Sequence, residues 1–122
     1  MPPHKVVLII DDDRDIREAI GDLLGVEGYQ TAEARDGGSG LAYLRSHPPP
    51  GVILLDWNMA PVGGAAFFSE FSHDARLAEI PVVLLTADVR AEEKARVLGL
   101  STLLTKPVDV ELLLAIASRY CS

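Results

Sequence analysis

Cysteine is almost absent from this 122-residue chain: Cys121, beside the C-terminus, has no partner for a disulfide, which fits a reducing compartment. No paired base stands next to it in sequence to make it a nucleophile. Aromatic residues amount to only 6%, and Trp57 and the three Phe read as packing or partner contacts rather than a cofactor box. Basic residues are outnumbered, 11 Lys plus Arg against 18 Asp plus Glu, for a net charge of -7. Without a basic patch, neither nucleic acid nor an anionic membrane is expected as a direct partner. No apolar run approaches membrane-spanning length, and the run from Val6 to Ile10 is too short for a signal-peptide core and meets three Asp at once. A Gly-rich phosphate loop is missing too, since Gly37-Gly38-Ser39-Gly40 has no Lys-Ser or Lys-Thr after it. His4, His47 and His73 are isolated and match no metal-ligand spacing. The cytoplasm is the expected location.

What is present is an ordinary globular composition, 48% apolar and 24% charged, in a length suited to one domain over residues 1–122. Four apolar runs each stop at polar residues. Val6-Val7-Leu8-Ile9-Ile10 ends at Asp11-Asp12-Asp13, Val52-Ile53-Leu54-Leu55 at Asp56, Val82-Val83-Leu84-Leu85 at Thr86, and Leu103-Leu104 just before Thr105-Lys106-Pro107. Runs rich in Val, Ile and Leu without polar alternation read as strands buried on both faces, as in a parallel sheet flanked by helices. Parallel strands bring their C-terminal ends to one edge, where open α/β sheets bind ligands. Carboxylates, a hydroxyl and an ammonium distant in sequence are therefore expected to converge.

Helical periodicity fills the gaps. Ile16, Ala19, Ile20, Leu23 and Leu24 mark one face of a helix capped by Asp13 and ended near Gly25 or Gly28. Tyr29 to Ala34 reads as a weaker strand, and Asp36 caps a short helix through Leu41 and Leu44 that stops before Pro48-Pro49-Pro50. A third helix is predicted over Gly64 to Asp74 with Phe67, Phe68 and Phe71 as anchors. A fourth covers Ala91 to Leu98, supported by a Glu92 and Arg96 pair. The fifth spans Asp109 to Tyr120 with Leu112, Leu113 and Ile116 inward. Five strands alternating with five helices make a doubly wound α/β sandwich, with no internal repeat or linker.

Carboxylates crowded at one edge repel, by about 4 kcal/mol per pair at 4 Å and a surface-like dielectric. Lys106 offsets part of this, and a hard divalent cation such as Mg²⁺, which prefers oxygen ligands, suits the remainder. A carboxylate also acts as a nucleophile toward phosphorus, and phosphoryl transfer relies on positioning and charge neutralisation, for which Thr86 and Lys106 are suitable donors. Asp56, alone at its strand end, is the natural nucleophile, and the N-terminal acids are better placed for metal. Taken singly, three Asp before a helix are a cap plus solvated charge, Asp56 a turn acid, Thr86 a loop hydroxyl and Lys106 a surface charge. Their joint occurrence at four strand ends shifts the balance toward a site.

With Ile9-Ile10-Asp11-Asp12-Asp13, Leu55-Asp56-Trp57-Asn58-Met59, Leu85-Thr86-Ala87 and Lys106-Pro107 in order over essentially the whole chain, the sequence resembles the receiver domains of bacterial response regulators. The segment Asp56-Trp57-Asn58-Met59 is similar to that of the chemotaxis members. The resemblance implies a flavodoxin-like (βα)5 fold with a parallel sheet of order 2-1-3-4-5. It further implies that Asp56 takes a phosphoryl group from a phosphohistidine of a sensor histidine kinase or histidine phosphotransfer protein. Metal would be Mg²⁺, ligated by Asp12, by Asp11 more loosely, by Asp56 and by the Asn58 backbone carbonyl. Thr86, the Ala87 backbone N–H and Lys106 would contact phosphoryl oxygens, Asp13 would be only a cap, and Lys106-Pro107 would be cis. Asn58 and Asp88 would tune attack by water. A downstream protein would bind the surface of the fourth helix, fifth strand and fifth helix, and, with no effector domain in the chain, output is expected through such partners.

Two features depart from the resemblance. Leu103 stands where most of the family has the Tyr or Phe that rotates inward on phosphorylation, and the loop Ala60-Pro61-Val62-Gly63-Gly64 has its Pro one place late. Leu103 supports one alternative, a receiver-like interaction module with weakened switching. The other is an Mg²⁺-dependent aspartyl phosphatase, for which Asp11-x-Asp13 imitates the haloacid dehalogenase signature. Against it stand Asp15 where that signature has Thr or Val, and a length that leaves no cap domain.

Overall fold

Every residue of Val7-Leu8-Ile9-Ile10 is buried because the strand they form is covered on both faces. The computed structural model describes residues 5–57, 63–87, 90, 93, 96 and 103–122. In it β1 (Val7–Ile10), β2 (Thr31–Ala34), β3 (Val52–Asp56), β4 (Val82–Thr86) and β5 (Leu103–Thr105) form one parallel sheet in the order β2-β1-β3-β4-β5. Four helices are described: α1 (Arg14–Val26), α2 (Gly37–Ser46), α3 (Gly64–His73) and α4 (Val110–Cys121), the last being the fifth of the predicted helices. The one predicted over Ala91 to Leu98, with its Glu92 and Arg96 pair, lies outside the described residues apart from Glu93 and Arg96.

The absence of polar alternation in the central strands now has its reason. Val7, Ile9, Val52, Leu54, Val83 and Leu85 point to one layer, packed on Ile20 and Leu24 of α1 and Leu113 and Ile116 of α4. Leu8, Ile10, Ile53 and Leu55 point to the other, against Leu41 and Leu44 of α2 and Phe67 and Phe71 of α3. Fully burying one such aliphatic side chain contributes about 1.5–3 kcal/mol, so the two layers together specify the sandwich. Close approach of α2 to the sheet requires Gly40: a Cβ there would fall 2.6 Å from Ile10 Cδ1 and 3.3 Å from Phe67 Cε2.

Local signals set the helix ends. The Asp13 carboxylate accepts the N–H of Asp15 at 2.9 Å and of Ile16 at 3.4 Å, starting α1. Gly28, at φ 88°, turns the chain out of α1, and the Tyr29 N–H reaches the Leu24 carbonyl at 3.0 Å. Asp36 and Asp109 cap α2 and α4 through the N–H groups of Ser39 and Leu112. Three expected core positions are displaced. Leu112 is 43% exposed, because Leu113, Ile116, Ala117 and Cys121 form the inward stripe and Leu112 sits about 100° round the helix from it. On α1, Ala19 and Leu23 are exposed, since the sheet covers only the Ile20 and Leu24 line; with Ile16 they border a groove closed by Lys106, Pro107 and Val108. No helix among the described residues is long and apolar enough to cross a membrane.

Candidate functional site

Strand register assembles the site. Ile10 pairs with Leu55, so the next residues, Asp11 and Asp56, leave neighbouring strands side by side, and Asp56 in turn pairs with Leu85, one residue before Thr86. On the other side of β4, Thr86 pairs with Thr105, and the Lys106 N–H donates to the Thr86 carbonyl at 2.8 Å. Four strands thus deliver two acids, a hydroxyl and an ammonium to one end of the sheet.

The polar groups are held within the packed interior. Asp11, Asp56 and Thr86 are 0%, 4% and 1% exposed, the only buried polar or charged side chains among the described residues. Carboxylate oxygens of Asp11, Asp12 and Asp56 lie within 4.8 Å of one another, Asp12 forming the solvent-facing member. Lys106 Nζ is 2.9 Å from Asp11 Oδ2 and 3.6 Å from Asp56 Oδ2. Burial pulls the Lys106 pKa down more than any other single influence, yet Asp11 and then Asp56 together outweigh it and the ammonium is held above its ordinary value.

The Asp11 carboxylate has two different faces. Oδ1 accepts the Asp13 N–H at 2.8 Å, which locks the turn into α1. Oδ2 is ion-paired with the Lys106 ammonium at 2.9 Å, its one polar side-chain contact among the described residues. Three carboxylates with oxygens within 4.8 Å of one another, against one ammonium, fit a hard divalent cation that takes oxygen ligands and keeps some of its water.

Of the other predicted site residues, Ala87 is exposed immediately after β4, Asp13 is engaged as the α1 cap, and Lys106-Pro107 is cis. Asn58 and Asp88, and the loop from Ala60 to Val62, lie outside the described residues. Trp57 follows Asp56 and packs with Leu103 on Leu84. Leu103 is thus a half-buried apolar contact rather than a ring poised to turn. Gly64 N–H closes the segment after Asp56 by donating to the Trp57 carbonyl at 3.0 Å, and a Cβ on Gly64 would fall 2.7 Å from the Trp57 Cα.

Sequence reasoning does not single out Arg17. Its Nη1 donates to the Asp11 carbonyl at 2.6 Å, and its Nε meets Glu33 Oε1 on β2 at 3.2 Å, with the side chain only 14% exposed. The available signal was a cation in the second turn of α1, facing the strand end rather than solvent.

A model of the response regulator receiver domain family matches residues 7–118. The chain belongs to that family. It is 37% identical over 113 residues to the phosphate regulon transcriptional regulatory protein PhoB of Escherichia coli, covering 89% of this chain and 48% of that protein. The chain therefore spans about half the length of PhoB. Protein PilH of Pseudomonas aeruginosa is 33% identical over 110 residues, with 88% of this chain and 90% of PilH covered. Among solved structures, the chemotaxis response regulator CheY4 of Vibrio cholerae superposes with a TM-score of 0.82 at 29% identity, over 95% of this chain and 98% of that one. The fold, with its 2-1-3-4-5 sheet, and the role as a receiver domain of two-component signalling follow from this membership and from the architecture.

Proposed function

We propose that Asp56 is the phosphoacceptor of a single receiver domain spanning residues 1–122, working in the cytoplasm with a sensor histidine kinase or a histidine phosphotransfer protein as donor. The observation that carries this reading is the convergence of the Asp11, Asp12 and Asp56 carboxylates within 4.8 Å, with Lys106 beside two of them. An Asp56 carboxylate oxygen attacks phosphorus and forms an O–P bond. The P–N bond to the donor imidazole breaks, and the nitrogen keeps the electron pair and takes up a proton. Lys106 pairs with a phosphoryl oxygen, and the Thr86 hydroxyl and the Ala87 N–H donate to others. Asp11, Asp12, Asp56 and the Asn58 carbonyl are the ligands for Mg²⁺, which when bound supplies charge neutralisation at the phosphoryl oxygens.

The chain is a stoichiometric acceptor that assists its own phosphorylation and dephosphorylation, not an enzyme for an external substrate. Its added charge biases a surface that includes the fourth predicted helix, β5 and α4 toward a downstream protein. Val110 and Leu112, 42% and 43% exposed on α4, are apolar contacts suited to that face. Incubation with Mg²⁺ and acetyl phosphate is expected to add one phosphoryl group by intact-mass analysis, and Asp56→Asn to abolish it. Undiminished labelling of that variant would remove Asp56 from the role. Hydrolysis of an external phosphomonoester that depends on Asp13 would replace the reading with a phosphatase.

A further inference from the structure

We infer that Arg17 is a positioning residue for the acidic site, fixing the Asp11–Asp12 peptide so that both carboxylates face the cation. The inference rests on the function proposed above. Asp11 is held from four directions. Its N–H donates to the Ala34 carbonyl at 3.1 Å, its Oδ1 accepts the Asp13 N–H, its Oδ2 faces Lys106, and its carbonyl accepts the Arg17 Nη1 at 2.6 Å. The first contact ties Asp11 to β2, and the last ties the following peptide to α1. Without the guanidinium, rotation of that peptide is opposed chiefly by the short turn to Asp13, and Asp12, whose side chain is exposed and makes no described hydrogen bond, inherits the looseness.

Glu33 completes the strut. It lies on β2 opposite Ile9 in the register, one residue before the pair Ile10 and Ala34. Its carboxylate holds the guanidinium Nε at 3.2 Å and is 42% exposed, so it steers Arg17 from the solvent side. The charged donor on a backbone carbonyl is the stronger link, because charge-assisted hydrogen bonds at short distance exceed exposed ion pairs. A partner outside the ligand set that orients the ligands commonly sets metal affinity by about 10–100-fold.

The test uses the whole chain and Mg²⁺ alone as ligand, read by the fluorescence of the single Trp57, with urea unfolding and exchange of the Asp13 amide measured in parallel. Arg17→Met is expected to weaken Mg²⁺ binding by about tenfold or more and to speed exchange at Asp13. Arg17→Lys, which supplies one cationic donor without the second arm, is expected to restore part of the affinity. Glu33→Gln is expected to lose less than about threefold, in line with an exposed pair. Should Arg17→Met not fold, weaker Mg²⁺ binding by Arg17→Lys at an unchanged urea midpoint supports the assignment, and equal binding overturns it. A variant that loses stability while its folded fraction binds Mg²⁺ as the parent does overturns it as well. Failure of the parent chain to bind Mg²⁺ would instead sink the proposed function, and the inference with it.

Discussion

Removing the Lys106 charge tests the electrostatic core of the site. In Lys106→Met the alkyl stem stays and the ammonium goes, leaving Asp11 and Asp56, both almost fully buried, without the cation at 2.9 and 3.6 Å. At those distances and an effective dielectric near 20, the two attractions are about 6 and about 5 kcal/mol before any desolvation is subtracted. Burying the ammonium opposes them, and removing one partner of a buried pair typically costs about 3–5 kcal/mol in net stability. Lys106 keeps 19% of its side chain exposed, so the low end applies: about 3 kcal/mol at neutral pH with metal chelated.

The assay is urea unfolding followed by circular dichroism, in chelator and in saturating Mg²⁺. The cation is expected to recover part of the loss by replacing the missing positive charge. Asp11→Asn combined with Lys106→Met is expected to be less destabilised than the sum of the single changes, because each removes the reason for the other. Sign and pH range also follow. The Lys106 pKa is raised above its ordinary 10.5, so the contribution of the pair is fully present below that value and is lost as pH rises through the higher folded value. A loss below about 1 kcal/mol, the scale of an exposed ion pair, together with additive single changes would refute the reasoning.

Asp36→Ala removes the α2 cap and is expected to cost about 1 kcal/mol at neutral pH by urea unfolding. The Ser39 N–H, at 2.7 Å, holds the Asp36 pKa below its ordinary 3.8, so the difference from the parent should be complete above that value and vanish as pH falls through the folded one. Gly40→Ala gains up to about 1 kcal/mol of helix propensity but drives a methyl to 2.6 Å from Ile10 Cδ1, for a net loss of about 1–2 kcal/mol. Adding Ile10→Val, which deletes that Cδ1, is expected to restore much of the thermal stability; no recovery would mean that the helix backbone, not the isoleucine, takes up the clash.

Periodicity exposed the architecture because a parallel sheet covered on both faces leaves an unusual trace. Val52-Ile53-Leu54-Leu55 and Val82-Val83-Leu84-Leu85 carry no polar alternation, and in the structure their alternate residues serve two separate apolar layers. Caps were equally legible. Asp13 and Asp36 act through hydrogen bonds two or three residues away, a range that local spacing encodes; Asp109, read as the first residue of its helix, is likewise its cap. The Leu112 placement failed for a complementary reason: three consecutive leucines at 112–114 fit several stripes, and only the packing of α4 on α1 and the sheet chooses among them. Leu23 went the same way, since a helix presents a wider apolar stripe than the sheet covers.

Residue types at the strand ends, by themselves, determined that two acids, a threonine and a lysine would gather at one edge, because parallel strands share a direction. Only the tertiary structure decided their spacing. That the Lys106 ammonium comes to 2.9 Å from Asp11 and 3.6 Å from Asp56 depends on the register of β1 with β3 and of β4 with β5. Nor does any local pattern announce that Arg17 turns inward onto the Asp11 carbonyl and Glu33. That contact joins α1 to the end of β1 and to β2, and such non-local contacts form only when burial of both apolar layers draws the elements together.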